Sequence, residues 1–160
     1  RDIFLFCCLT GLAYVDVASL STENIVEGKR GRQWLRKARN KTNNMCNIPL
    51  LRPALRILEK YAEYRAATGR LLPVPSNQKM NAYLKELATL CGVAKNLTTH
   101  CARHTFATTV TLANGASLEN VSKMLGHSSI RMTQHYAKIL NSSIERDMDK
   151  IESELIGEDE

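Results

Sequence analysis

No apolar run in this 160-residue sequence approaches the roughly 20 residues that a bilayer span requires. The opening RDIFLFCCLTGLA also lacks the charged lead and small-residue cleavage site of a signal peptide. A soluble, cytoplasmic protein is expected, with no membrane partner. The five cysteines (Cys7, Cys8, Cys46, Cys91, Cys101) are odd in number and show no Cys-x-x-Cys spacing. That pattern argues against a disulfide framework and for buried thiols in a reducing compartment. Internal repeats and low-complexity tracts are missing too, and 44% hydrophobic residues suffice to close a core without metal or disulfide staples. The apolar start, with no capping residue before it, is what a piece cut from a longer protein would show.

Acids are scarce where bases are dense. The net charge of +6 conceals two regions: residues 145–160 hold eight acids and two bases, whereas residues 1–144 hold 20 bases and eight acids. Lys29, Arg30, Arg32, Arg36, Lys37, Arg39 and Lys41 fall within thirteen residues that contain no acid. This is the local potential a polyphosphate seeks, and it makes a nucleic acid the expected partner. The plainer alternative is a solvated basic hairpin.

Hydrophobic spacing gives an α+β architecture, mostly α with a small antiparallel β-sheet. Ile3 to Leu12 reads as a buried helix, broken at Thr10-Gly11 and followed by a second short helix around Val15, Val17 and Leu20. Residues 25–50 read as two or three strands separated by Glu27-Gly28 and Asn43-Asn44, with Pro49 ending the last. Helical spacing returns from Pro53 (Leu55, Leu58, Tyr61, Ala62) and stops at Gly69; Leu71 to Pro75 is a loop. Ser76 or Asn77 caps a helix with an apolar face of Met80, Tyr83, Leu84, Leu87 and Cys91. His100 to Ala113 forms another helix, Ser117 caps one over 118–125 ended by Gly126, and Ser128 or Ser129 caps a last one through Leu140. Ile144, Met148, Ile151 and Leu155 mark an amphipathic acidic tail over 141–160.

His100 and Arg103, three apart on one helix, can grip a single anion together. His127 follows a helix-ending glycine, and Tyr136 lies nine residues later. Two histidines, an arginine, a lysine from the basic hairpin and a tyrosine suit metal-free phosphoryl transfer: cations stabilise the equatorial oxygens while the phenol attacks phosphorus. Each residue also has a plain reading. A helical tyrosine usually packs, Lys41 is one member of a basic face, and His104 reads as a packing or supporting residue. His100 and His104 beside Cys101 hint at a metal site, but the glutamate of a zinc-protease helix is missing, so no metal or cofactor is expected.

The runs TGLAYVDVASL (10–20), RKARNKTNNMCNIPL (36–50), THCARHTFAT (99–108) and LGHSSIRMTQHYAKI (125–139) resemble, in order and spacing, the catalytic domain of tyrosine recombinases, the phage-integrase family. Within that family they point toward integrases of Bacteroides-type mobile elements. The resemblance implies a catalytic domain over 1–140 with an integrase catalytic-domain fold, a C-terminal tail over 141–160, and an N-terminal core-DNA-binding domain missing from this stretch. It implies that Tyr136 attacks a phosphodiester to give a 3′-phosphotyrosyl link. Arg103 would clamp the non-bridging oxygens, His100 would position the phosphate or shuttle a proton, and His127 would donate to the same phosphate. Lys41, on the sheet, would protonate the leaving 5′-oxygen. Lys29, Arg30, Arg32, Arg36, Lys37, Arg39 and Arg131 would contact DNA. A homotetramer on DNA when full-length, a monomer or weak oligomer as this fragment, and accessory DNA-bending proteins are the partners it implies.

One position departs from the pattern. The family's first catalytic arginine directly follows Thr-Gly-Leu, and here Ala13 stands in its place. Three readings follow: Arg1 or the Arg36–Arg39 cluster compensates, the enzyme is slow, or the domain is a catalytically silent DNA-binding module. Compensation is favoured because every other element is in place. Asp16 sits where the family often has an acid supporting that arginine. A relaxing topoisomerase using the same tyrosine chemistry is a third class of function.

Overall fold

The computed structural model describes residues 1–137 and 142–156. It is mostly helical with one three-stranded sheet. The opening apolar segment forms α1 (Asp2–Thr10), ended by Gly11 at φ 69°, and α2 follows over Tyr14–Ala18. Gly11 is required twice over. Its backbone is left-handed, and a Cβ there would sit 2.4 Å from Cδ1 of Phe106. That close approach lets the C-terminal end of α1 press against the helical rod that carries Phe106.

The sheet comprises β1 (Ile25–Glu27), β2 (Gln33–Ala38) and β3 (Met45–Pro49), antiparallel with β2 in the centre. Leu35 pairs with Ile48 and Lys37 with Cys46. Leu35, Cys46 and Ile48 are buried, so this face meets the core and the alternate face, with Arg36, meets solvent. Pro49 is tolerated because β3 is an edge strand.

Pro53 opens α3 (Arg52–Lys60), and Tyr61 separates it from α4 (Ala62–Thr68), where spacing alone predicted one helix. Asp2 ties α1 to α3: its carboxylate accepts from Lys60 Nζ at 2.5 Å and from the Tyr61 hydroxyl at 3.2 Å. Ser76 caps α5 (Asn77–Leu90), as expected. Its buried face is narrower than expected, comprising Met80, Leu84 and Ala88, while Tyr83 and Cys91 are exposed. Spacing by fours rather than by threes and fours puts those two residues on the flank. The expectation of uniformly buried thiols therefore fails at Cys91, and Cys8 and Cys101 are only half-buried.

Thr98 caps α6 (Thr99–Thr105), which continues through wide π-type turns over Phe106–Thr111 to Gly115. Ser117 caps α7 (Leu118–Leu125), closed by Gly126 at φ 61°. The last two helices are α8 (Arg131–Ala137) and α9 (Ser142–Ile156). The helix end expected at Leu140, and the boundary between 140 and 141, lie outside the described residues. Ile144, Met148, Ile151 and Leu155 on α9 are exposed.

Candidate active site

Arg103 is the centre of the site. The residue is 5% exposed, and its guanidinium hydrogen-bonds Gly11, Leu125 and His127. One Nη1 donor goes to the Gly11 carbonyl at 2.5 Å; Nη2 donates to the Leu125 carbonyl at 2.7 Å and to His127 Nε2 at 3.1 Å. The C-terminal ends of α1 and α7 thus aim their unpaired carbonyls at one arginine. Burial, and then the neighbouring Arg39, pull its pKa down, while the Tyr136 phenol, in hydrogen-bonding reach, acts the other way.

Arginine has no acceptor, so His127 Nε2 must accept, and the ring proton sits on Nδ1. Nδ1 donates to Thr133 Oγ1 at 2.8 Å, and Thr133 is fully buried. Burial, Arg103 and Arg39 together push the His127 pKa down to about 4. Tyr136 is 6% exposed. Its ring lies parallel to that of His127, with centroids 6.2 Å apart, and edge-to-face with His104 at 4.7 Å.

Arg39 belongs to this pocket rather than to the outer basic face. It extends the core-facing register of Leu35 and Lys37, and its side chain is 11% exposed. Gly126 clears its path, since a Cβ there would fall 2.9 Å from Arg39 Cδ. Arg39 Nε lies 3.8 Å from Asp16 Oδ2, is buried and makes no hydrogen bond. Asp16 itself is 1% exposed and accepts from the Asn40 backbone N–H at 2.8 Å. Two guanidiniums and a desolvated imidazole therefore share a space with one carboxylate set back behind them. That arrangement stabilises an additional anion carrying several acceptor oxygens.

The remaining expected residues fall around this centre. His100 is exposed and touches the group only through His104, ring to ring at 4.8 Å. Three residues on along α6, Arg103 is buried against its two carbonyls while His100 stays at the exposed rim. Lys41 lies in the turn between β2 and β3, not on a strand, and is exposed there. Lys29, Arg30, Arg32, Arg36 and Arg131 are exposed, whereas Lys37 is half-buried with its ammonium on the Ser19 carbonyl at 3.3 Å. Ala13, at the start of α2, is half-buried. Among the described residues, no group of three or more histidine, cysteine or carboxylate side chains is placed to hold a metal ion. Sequence reasoning missed Thr133, and it held Arg39 both among the DNA contacts and, within the Arg36–Arg39 cluster, among the possible substitutes for the missing arginine.

Comparison with known proteins gives a consistent picture. The profile of the family described as "Phage integrase family" matches residues 1–142. Tyrosine recombinase XerD of Rhizobium meliloti is 32% identical over 146 residues, which is 84% of this chain and 45% of that protein. The chain spans less than half the length of the curated relatives it matches. The crystal structure of XerA recombinase superposes with a TM-score of 0.70 at 22% identity, over 91% of this chain and 55% of that one. That of XerH site-specific recombinase bound to palindromic difH substrate gives 0.72 at 17% identity, over 95% and 45%. The architecture is the catalytic-domain fold of those recombinases.

Proposed function

The chain belongs to the phage integrase family, and from that premise we propose that it breaks and rejoins DNA strands through a covalent tyrosyl intermediate. Tyr136 is the nucleophile. Its hydroxyl proton passes out through His100 at the rim, its oxygen attacks a backbone phosphorus, the bond to the 5′-oxygen breaks, and a 3′-phosphotyrosyl link remains. Lys41 gives its proton to the departing 5′-oxygen. Exposure at the hairpin tip leaves Lys41 free to meet DNA. Attack by another strand's 5′-hydroxyl reverses the sequence and rejoins the backbone. Arg103 and Arg39 hold the non-bridging oxygens, His127 hydrogen-bonds the same phosphate when protonated, and His100 serves at the rim. Charge is neutralised by side-chain cations, so the proposed step uses no metal or nucleotide.

The single observation that carries this reading is the convergence of Tyr136, His127, Arg103 and Arg39 on one space within one chain. Arg39 supplies the guanidinium that Ala13 cannot. The competing reading, a silent DNA-binding module, rests on Ala13, and an arginine brought in by the hairpin removes its main support.

The wider role we assign is site-specific recombination, integrating or excising a mobile element of the Bacteroides type, in the cytoplasm and as a tetramer on duplex DNA with accessory bending proteins. The exposed Ile144, Met148, Ile151 and Leu155 face favours docking of the acidic tail on a neighbouring protomer over folding back. The test uses a pool of nicked duplexes with a randomised core. A covalent protein–DNA adduct that resists detergent, and that vanishes in Tyr136→Phe, is expected. An adduct that persists in Tyr136→Phe overturns the assignment, and binding with no adduct favours the silent module.

A further inference from the structure

Tyr136 has three histidine rings against it, His104 at 4.7 Å, His127 at 6.2 Å and His135 at 6.3 Å, of which only His127 belongs to the proposed phosphate-binding group. We infer that His104 is a positioning residue for the nucleophile, its imidazole fixing the Tyr136 ring by edge-to-face packing so that the phenol stays beside Arg103 before DNA arrives. The inference rests on the catalytic reading of Tyr136 given above.

The argument begins with degrees of freedom. A tyrosine side chain has two torsions to settle, and Tyr136 sits on α8, a helix of only seven residues. The ring parallel to His127 lies 6.2 Å away, toward the far end of the range in which aromatic pairs hold each other. His104 approaches to 4.7 Å at an interplanar angle of 68°, an edge-to-face arrangement near the close end of that range. The ring of the preceding residue, His135, is also edge-to-face but 6.3 Å away, so of the three contacts the one to His104 is the closest constraint on rotation.

His104 is itself held from behind. His100 packs edge-on against it, with centroids 4.8 Å apart and planes at 83°. The chain His100, His104, Tyr136 thus runs from the exposed rim to the buried phenol as successive perpendicular rings. His104 follows Arg103 directly on α6, so the element that places the phosphate clamp also places the ring that steadies the nucleophile. The groups facing His104 include His100, His135 and Lys95, and burial, followed by these neighbours, holds its pKa below the usual histidine value.

The test compares three variants: His104→Phe, which keeps an edge-to-face partner; His104→Gln, which keeps polarity without a ring; and His104→Ala. The first readout needs no catalysis. Protein labelled with 3-fluorotyrosine gives a ¹⁹F signal for Tyr136, identified by its loss in Tyr136→Phe. A buried signal in the native protein and in His104→Phe, shifted toward free fluorotyrosine in His104→Gln, is expected. The second readout is single-turnover adduct formation on the nicked-duplex pool at saturating DNA. A slowing of about 3- to 10-fold in His104→Gln and His104→Ala is expected, with DNA binding unchanged and most of the rate restored in His104→Phe. The pH–rate profile should keep its shape in His104→Phe. A phenylalanine variant as slow as the glutamine one, or one that loses the acidic limb of that profile, overturns the inference in favour of proton transfer. An alanine variant with native signal and rate overturns it outright; should that variant fail to fold, the phenylalanine and glutamine pair decides. Absence of any adduct in the native protein defeats the catalytic reading, whereas the ¹⁹F signals still decide the placement.

Discussion

Replacing Arg39 with alanine separates two effects that the geometry makes unequal. In the transition state, the phosphorane oxygens lose one of two guanidiniums. Single oxyanion-donor deletions set the scale at about 3–4 kcal/mol, or roughly 10²- to 10³-fold in rate. In the ground state, Asp16 loses its counter-ion while 1% exposed. Stripping one partner from a buried ion pair costs about 3–5 kcal/mol, but the cost here falls well short of that. The pair is long at 3.8 Å, Asp16 retains the Asn40 N–H at 2.8 Å, and the repulsion between Arg39 and Arg103 disappears. The reaction should therefore suffer far more than the fold. Single-turnover adduct formation on nicked duplex, with thermal melting of the same preparations, measures both. Arg39→Ala should slow cleavage by about 10²-fold or more with modest destabilisation. Arg39→Lys should fall between, since an ammonium keeps the charge without the planar fork. Adding Ala13→Arg to Arg39→Ala should recover part of the rate. A native rate in Arg39→Ala, or a loss fully accounted for by unfolding, would show that this arginine is a strut for Asp16 and that the phosphate is held otherwise.

Gly11→Ala should destabilise the protein by about 3 kcal/mol or more in denaturant melts, because it meets both a left-handed backbone and the Phe106 ring at 2.4 Å. Thr133→Val keeps the volume but leaves the His127 Nδ1–H without its acceptor. A loss of about 1–3 kcal/mol in stability is expected, with slower cleavage and unchanged salt dependence of DNA binding. The His127 pKa falls from its usual 6.5 to about 4 on folding, so between those values the unfolded chain binds the extra proton. Stability should hold above pH 6.5 and decline as the pH drops toward 4, and His127→Gln should flatten that part of the melting profile.

Much of the fold was readable because capping and periodicity agree locally. Ser76, Ser117, Gly11 and Gly126 sit where the helices begin or end, and Leu35, Cys46 and Ile48 mark the buried face of the sheet. The misreadings came where an element's environment is set from outside its own sequence. Tyr83 and Cys91 satisfy a helical spacing, yet α5 buries only Met80, Leu84 and Ala88. His100 and Arg103 satisfy a shared-face rule, yet carbonyls from Gly11 and Leu125 claim the arginine. Thr133 carries no signal until His127 is known to need an acceptor. Arg39 was accessible in principle: with Leu35 inward, period two sends residues 37 and 39 inward as well. The Arg36–Arg39 cluster was a candidate substitute as a whole, and a charge density spread over thirteen residues hid the alternation that picks Arg39 from it.

The hairpin register also explains how the site tolerates Ala13. Asp16 lies one helical turn beyond Ala13 on α2 and accepts the backbone N–H of Asn40, while Asn40 Nδ2 donates to the Val15 carbonyl at 2.9 Å. Asn40 stands between Arg39 and Lys41, so the α2 segment grips the hairpin at the residue that separates the two cations to which the proposed mechanism gives roles. Asp16 then faces a guanidinium whether that group springs from the residue before α2 or from the residue after β2. Only the origin of the charge differs, and no second acid is required to receive it. The same grip sets the spacing between an arginine fixed in the pocket and a lysine left at the tip. In the proposed mechanism, a duplex that displaces the hairpin therefore moves phosphate clamp and proton donor together.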